Sequence, residues 1–140
     1  MLDHVGIAVP DLTRALAFYQ ETLGLPCAGI ETVGAQRVRV AFLPVGDTTI
    51  ELLEPAGPDS PIAGFLARRR DGGLHHLAFQ VDDLPGTLDR LAAAGIRLID
   101  RAPRPGGHGR QVAFLHPDAA GGVLIELCSR PEQASPVSQP

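Results

Sequence analysis

The sequence predicts an α+β fold in which two tandem βαβββ modules pair their sheets into an open, cupped, barrel-like surface. Three observations carry this. The chain contains itself twice: DHVGIAVPDL (residues 3–12) realigns on HHLAFQVDDL (75–84), VAFLP (40–44) on VAFLHP (112–117), and TTIELLEP (48–55) on GVLIELCSRP (122–131). The landmarks keep their order at nearly constant offset, His4 to His76 and Val40 to Val112 being 72 positions apart and Glu51 to Glu126 75, so the drift falls in one loop near residues 116–121. Finally, 140 residues with 44% hydrophobic side chains suit one ordinary domain sharing a core.

The elements follow in order. Module one, about residues 1–57, opens with a short apolar strand carrying His4. Asp11 is the N-cap of a helix whose stripe is Leu12, Ala15, Leu16, Tyr19 and Leu23, with Gly24 as its stop. Three strands complete the module; residues 37–43 alternate and residues 48–53 form an apolar run ending at Pro55. Ser60 and Pro61 start a linker helix over about 60–70. Module two, about 73–131, repeats the plan: a strand with His76, a helix capped by Asp83 with Leu84, Leu88 and Leu91 on its stripe and Gly95 at its end, then strands at 110–115 and 123–128. Residues 1–131 therefore form one domain, and the polar, Pro/Ser-rich stretch 132–140 is expected to be a flexible tail.

Composition excludes several classes of function. The net charge is −4, aromatics are 4% and Trp is absent, so neither a cationic field nor a stacking platform for nucleic acid is present. All twelve basic residues are Arg; without Lys, Schiff-base chemistry and the lysine-dependent phosphate loop are ruled out. Cys27 and Cys128 are too few for a disulfide framework, which fits a cytoplasmic protein, and no stretch approaches the roughly 20 apolar residues of a membrane span.

Pairing the modules about a pseudo-twofold axis brings equivalent positions together, and the equivalents that carry chemistry are His4 with His76 and Glu51 with Glu126. Each His shares a strand face with small residues, Gly6 and Ala8 or Ala78 and Gln80, which leave room for a ligand. Glu51 and Glu126 each interrupt an apolar strand, and a carboxylate there is costly to bury unless paired or bound to a cation. Imidazole with carboxylate suits a divalent ion such as Co²⁺, Zn²⁺, Mn²⁺ or Ni²⁺ with a position left open for substrate. Read singly, a strand His is a packed or solvated residue and a strand Glu an exposed one; the repetition of both favours metal.

The motifs HVGIAVPDL, IELLEP, SPIAGFL (60–66), GGLHHLAFQVDDL (72–84), GGHG (106–109) and FLHPDAAGGVLIEL (114–127) together resemble the vicinal oxygen chelate superfamily and, within it, the methylmalonyl-CoA epimerase family, over about residues 2–130. The resemblance implies that His4, His76 and Glu126 are metal ligands, with Glu51 at the fourth ligand position. It implies an acyl-CoA thioester substrate, epimerisation between (R)- and (S)-methylmalonyl-CoA through proton abstraction alpha to the thioester, and a homodimer. Opposite-face proton transfer wants an acid/base group on each side of the substrate, and the pseudo-twofold site offers the related carboxylates Glu126 and Glu51 as candidates, although Val40 stands where some members carry a Glu regarded as a base. Two rival activities are a lactoylglutathione lyase-like isomerase, with a similar site, and a non-catalytic small-molecule-binding protein of the same fold. An extradiol dioxygenase would have no use for the fourth acid at Glu51.

Further residues are weighed on position alone. His75 is expected to point away from His76, as alternation requires, and to pack or hydrogen-bond. Gln80 faces the His76 side. His108 lies in a glycine-rich loop that either closes over substrate or is a plain turn, and His116, before Pro117, is structural. Arg68, Arg69 and Arg70 end the linker helix, as a solvated terminus or as a phosphate contact.

Overall fold

In the computed structural model, which describes residues 1–131, eight strands form one mixed sheet that curls into a half-barrel. The strands are β1 (Leu2–Ala8), β2 (Gly29–Val33), β3 (Val38–Val45), β4 (Thr48–Pro55), β5 (Gly73–Val81), β6 (Arg104–Pro105), β7 (Gln111–Leu115) and β8 (Ile125–Ser129). Their order across the sheet is β2-β3-β4-β1-β5-β8-β7-β6. The two modules join where β1 meets β5 antiparallel, and each then pairs parallel with its own last strand, β1 with β4 and β5 with β8. The expected tail at 132–140 lies outside the described residues.

The helices begin where the sequence places their caps. Asp11 Oδ1 accepts from the Arg14 amide at 3.0 Å, Ser60 Oγ from Ile62 at 3.2 Å and Asp83 Oδ1 from Gly86 at 3.0 Å. These start α1 (Leu12–Leu16), α2 (Pro61–Arg68) and α3 (Leu84–Ala93). The first differs from the simple helical stripe predicted: after Leu16 it widens into a π-turn over Ala17–Thr22, closed by the Leu23 amide donating to Phe18 five residues back at 3.0 Å. Gly24 and Gly95 follow their helices with φ of 73° and 80°, the left-handed conformation that ends a helix at little cost only for glycine.

Duplication governs the packing. On the outer face, Leu12 of α1 is buried against Ala41, Leu43 and Leu52, and Leu84 and Leu88 of α3 against the equivalent Ala113, Leu115 and Leu127. Fully burying one such leucine contributes about 1.5–3 kcal/mol. On the inner face, one apolar wall comprises Val33, Val38, Val40, Phe42, Leu53 and Ile62, beneath α2, and another Val112, Phe114 and Cys128. The polar centre lies between them.

The halves differ in their second strands, whose existence the repeat predicts but whose position the sequence does not reveal. β2 pairs five residues with β3, whereas β6 is reduced to Arg104–Pro105. Pro103 and Pro105 have no amide hydrogen to give the ladder, so the strand cannot lengthen. Although β2 and β6 are opposite edges of the sheet, the curl brings them within reach: the His108 amide lies 3.3 and 3.4 Å from the two carboxylate oxygens of Glu31 on β2.

Candidate metal centre and active site

Strand register assembles the site. Across the inner face Glu51 of β4 stands beside Gly6 of β1, which stands beside His76 of β5; in the related row His4 of β1 stands beside Ala78 of β5, which stands beside Glu126 of β8. Each row thus has one imidazole and one carboxylate separated by a small residue. Gly6 is required to be small: a Cβ there would lie 2.2–2.8 Å from three atoms of the His76 ring.

From these rows three atoms converge. His4 Nε2 is 3.1 Å from His76 Nε2 and 3.2 Å from Glu126 Oε2, and His76 Nε2 is 2.9 Å from the same oxygen. All three side chains are buried. Glu51 meets His4 on its other nitrogen, Oε2 to Nδ1 at 2.9 Å, and so is adjacent to the three-atom cluster without being part of it. The cluster forms the floor of a cavity of about 720 Å³ whose walls include Val40, Phe42, Phe114, Arg104 and His108.

The electrostatics of the floor suit a cation. Asp3, Glu51 and Glu126 bring three carboxylates, and Arg110 beside Asp3 brings one fixed positive charge. Burial alone would raise the Glu126 carboxyl, but the hydrogen bonds and charges of His4 and His76 override it and hold it down at about 2. Burial likewise disfavours a charged His4, yet hydrogen bonds to Asp3, Glu126 and Glu51 raise its imidazole to about 12. The site therefore retains positive charge at its centre, as a proton or as a metal ion. Two imidazoles and one carboxylate meeting in a buried, carboxylate-rich pocket fit a divalent first-row ion with open positions for substrate.

One expectation is corrected by the register. His75 does not point away from His76: its Nδ1 is 2.9 Å from His76 Nδ1, and its ring packs edge-on against Phe65 with centroids 5.2 Å apart. The cause is a β-bulge. Gly6 pairs with His76 but Ile7 with Leu74, which leaves His75 as an extra residue and turns it toward the cavity. Burial and the neighbouring His76 lower its imidazole to about 4, which keeps it neutral. A matching bulge occurs at the equivalent position of β1, where Leu2 pairs with Phe79 and His4 with Ala78, so that Asp3 is the extra residue and its Oδ2 reaches His4 Nδ1 at 2.8 Å. Sequence reasoning missed Asp3 and Arg110; the only signal was that Asp3 and His75 are repeat equivalents, each preceding a histidine of the cluster.

Gln80 is also corrected: it does not line the cavity but stands near the far end of β5, where its amide donates to the Met1 carbonyl at 2.9 Å. His108 does line the cavity, with φ of 55° and its ring centroid 4.1 Å from that of Phe42. His116 is structural, its Nδ1 accepting from the Asp118 amide at 3.1 Å. Arg68, Arg69 and Arg70 are exposed and outside the cavity, Arg69 lying 5.7 Å from the Phe65 ring centroid. Among the described residues no helix is long and apolar enough to cross a membrane.

A family model for the Glyoxalase/Bleomycin resistance protein/Dioxygenase superfamily matches residues 3–114. The chain is 44% identical over 126 residues to the mitochondrial methylmalonyl-CoA epimerase of Homo sapiens, covering 90% of this chain and 72% of that one. It is 45% identical over 127 residues to the ethylmalonyl-CoA/methylmalonyl-CoA epimerase of Cereibacter sphaeroides, covering 90% and 95%. A solved methylmalonyl-CoA epimerase in complex with methylmalonyl-CoA and NH4+ superposes with a TM-score of 0.84 at 35% identity, covering 91% of this chain and 92% of that one. With its half-barrel intact and most of both chains matched, this chain belongs to the glyoxalase/bleomycin resistance/dioxygenase superfamily and, within it, to the methylmalonyl-CoA epimerases.

Proposed function

We propose that the chain interconverts the (R)- and (S)-epimers of methylmalonyl-CoA by moving one proton at the carbon between the thioester and the free carboxylate. The observation that carries this is the convergence of His4 Nε2, His76 Nε2 and Glu126 Oε2 on the floor of a large cavity in a chain of this family. The obstacle to such a reaction is the negative charge that builds on the thioester oxygen as the α C–H bond breaks. A divalent ion held by His4, His76 and Glu126, whether Co, Zn, Mn or Ni, would supply the positive charge that stabilises that oxygen and orients the substrate.

The chain's own residues do the rest. Glu51, whose side chain is 14% exposed against 5% for Glu126, is the carboxylate with freedom to take the α proton. Epimerisation returns a proton to the opposite face, and Glu126, related to Glu51 by the internal repeat, is the candidate there, acting through a water because its own carboxyl is held ionised by His4 and His76. Val40, buried in the apolar wall, can carry no proton. Phe42 and Phe114 flank Glu51 and Glu126 in register and restrict water around both. A homodimer acting on a CoA thioester in the cytoplasm completes the reading; the two free thiols, Cys27 and Cys128, fit a reducing compartment.

The test is α-carbon exchange in D₂O with cobalt-loaded protein. Wild type incorporates deuterium into methylmalonyl-CoA and interconverts its epimers, and Glu51→Gln and Glu126→Gln each slow this by about 10²–10⁴-fold, the usual worth of a general acid or base. Wild-type exchange in both variants would remove these acids from the mechanism. Conversion of methylglyoxal with glutathione in preference to the thioester would favour the lyase alternative, and no turnover of either would favour a binding protein.

A further inference from the structure

Two carboxylates contend for one nitrogen. When Nε2 of a neutral imidazole serves as ligand atom, Nδ1 carries the only ring hydrogen and has one acceptor to satisfy. On His4 Nδ1 stand both Asp3 Oδ2, at 2.8 Å, and Glu51 Oε2, at 2.9 Å. The two are held very differently. Asp3 Oδ1 accepts from Arg110 Nη1 at 2.8 Å, and that guanidinium is fixed in turn, its Nε and Nη2 donating to the Ser129 carbonyl at 2.9 and 2.6 Å. Asp3 is further confined by the bulge at the start of β1. Glu51 has only the His4 contact among the described residues, and its lateral neighbours Gly6 and Phe42 offer it no polar side chain.

We infer that Asp3, clamped by Arg110, is a positioning residue: it retains the His4 Nδ1 hydrogen and thereby releases Glu51 from His4 into the cavity, toward the cation and the substrate. This rests on the metal-site reading above. Module two needs no such clamp, because the repeat equivalent of Asp3 is His75, which reaches His76 Nδ1 through a neutral ring and faces no competing acid there. Without Asp3, Glu51 is the remaining acceptor for His4 Nδ1 and becomes committed to it. Loss of Asp3 should therefore look like loss of Glu51, although Asp3 is not in the three-atom cluster.

The experiment is a Co²⁺ titration followed by calorimetry and by the visible spectrum of the bound ion, on wild type, Asp3→Ala, Asp3→Asn, Glu51→Ala and the Asp3→Ala/Glu51→Ala double variant. Asp3→Ala weakens Co²⁺ binding by about 10–100-fold, the range typical of a lost outer partner, and shifts the spectrum toward that of Glu51→Ala. The double variant is no worse than either single one, while Asp3→Asn, whose amide oxygen still accepts from Nδ1, stays within about threefold of wild type. Multiplying effects of Asp3→Ala and Glu51→Ala, or an Asp3→Ala protein with wild-type affinity and spectrum, would overturn the inference, since a merely structural Asp3 acts independently of Glu51. Because the readout is metal binding, the pattern supports the inference even where no epimerisation is found; a wild type that binds no Co²⁺ overturns it together with the metal reading.

Discussion

In module one the residue preceding the cluster histidine is an acid, Asp3, locked to Arg110; in module two the same bulged position holds His75, a neutral ring resting on Phe65. The scaffold beneath is otherwise equivalent: paired rows of imidazole, small residue and carboxylate, with a phenylalanine beside each glutamate. Duplication thus supplies the geometry, two strands crossing their counterparts at a shared centre, while divergence at single positions decides where charge resides. Three carboxylates and the clamping arginine lie around His4, and the His76 side is left comparatively apolar. Such inequality suits epimerisation, because the group that takes the α proton must start the cycle deprotonated while the group that returns one starts it protonated.

The largest effect that would break the comparison is at the small residue of each row. Gly6→Ala drives a methyl group into the His76 ring, and cobalt affinity should fall by more than the about 10–100-fold of an outer partner, since a ligand is displaced. At the equivalent position, Ala78→Gly removes a methyl group without crowding His4 and costs about 0.5–1 kcal/mol of stability with metal binding retained. Calorimetry on both variants checks this; equal metal loss would mean that the rows are not held as the register implies. A middle-sized effect concerns the carboxylates gathered about His4. Removing the ion with a chelator, from protein saturated at about 100 times its dissociation constant, withdraws about 2.7 kcal/mol and should lower the melting temperature by about 5–10 °C; an unchanged melting curve would show that the acids need no cation. The smallest effect is at the mouth, where His108 sits at φ 55°. His108→Gly should raise stability by at most about 1 kcal/mol, relief of the left-handed strain being offset by glycine's greater chain entropy. A loss of stability in urea unfolding would instead assign the His108 ring on Phe42 a structural task.

Much of this was legible beforehand because duplication is visible in a sequence. The repeat placed His4, His76, Glu51 and Glu126 at related points, and strand alternation turned all four toward one face. The caps Asp11, Ser60 and Asp83 were readable because a side-chain acceptor before an amphipathic stripe satisfies the free amides of a first turn. What escaped reading was local irregularity. The bulges at Asp3 and His75 reverse the face predicted by alternation, and they depend on how two strands distant in sequence pair. The π-turn at Ala17–Thr22 and the two-residue β6 are likewise settled by packing and by which amides find partners. Glu51's contact with His4 Nδ1, rather than with the three-atom cluster, depends on side-chain reach that spacing cannot encode.

The most direct measurement is a crystal structure of the protein soaked with Co²⁺ and collected at the cobalt absorption edge. The account predicts one anomalous peak bonded to His4 Nε2, His76 Nε2 and Glu126 Oε2 at about 2.0–2.2 Å from each, with Asp3 still on His4 Nδ1. A peak that omits either histidine, or no peak between them, would contradict it.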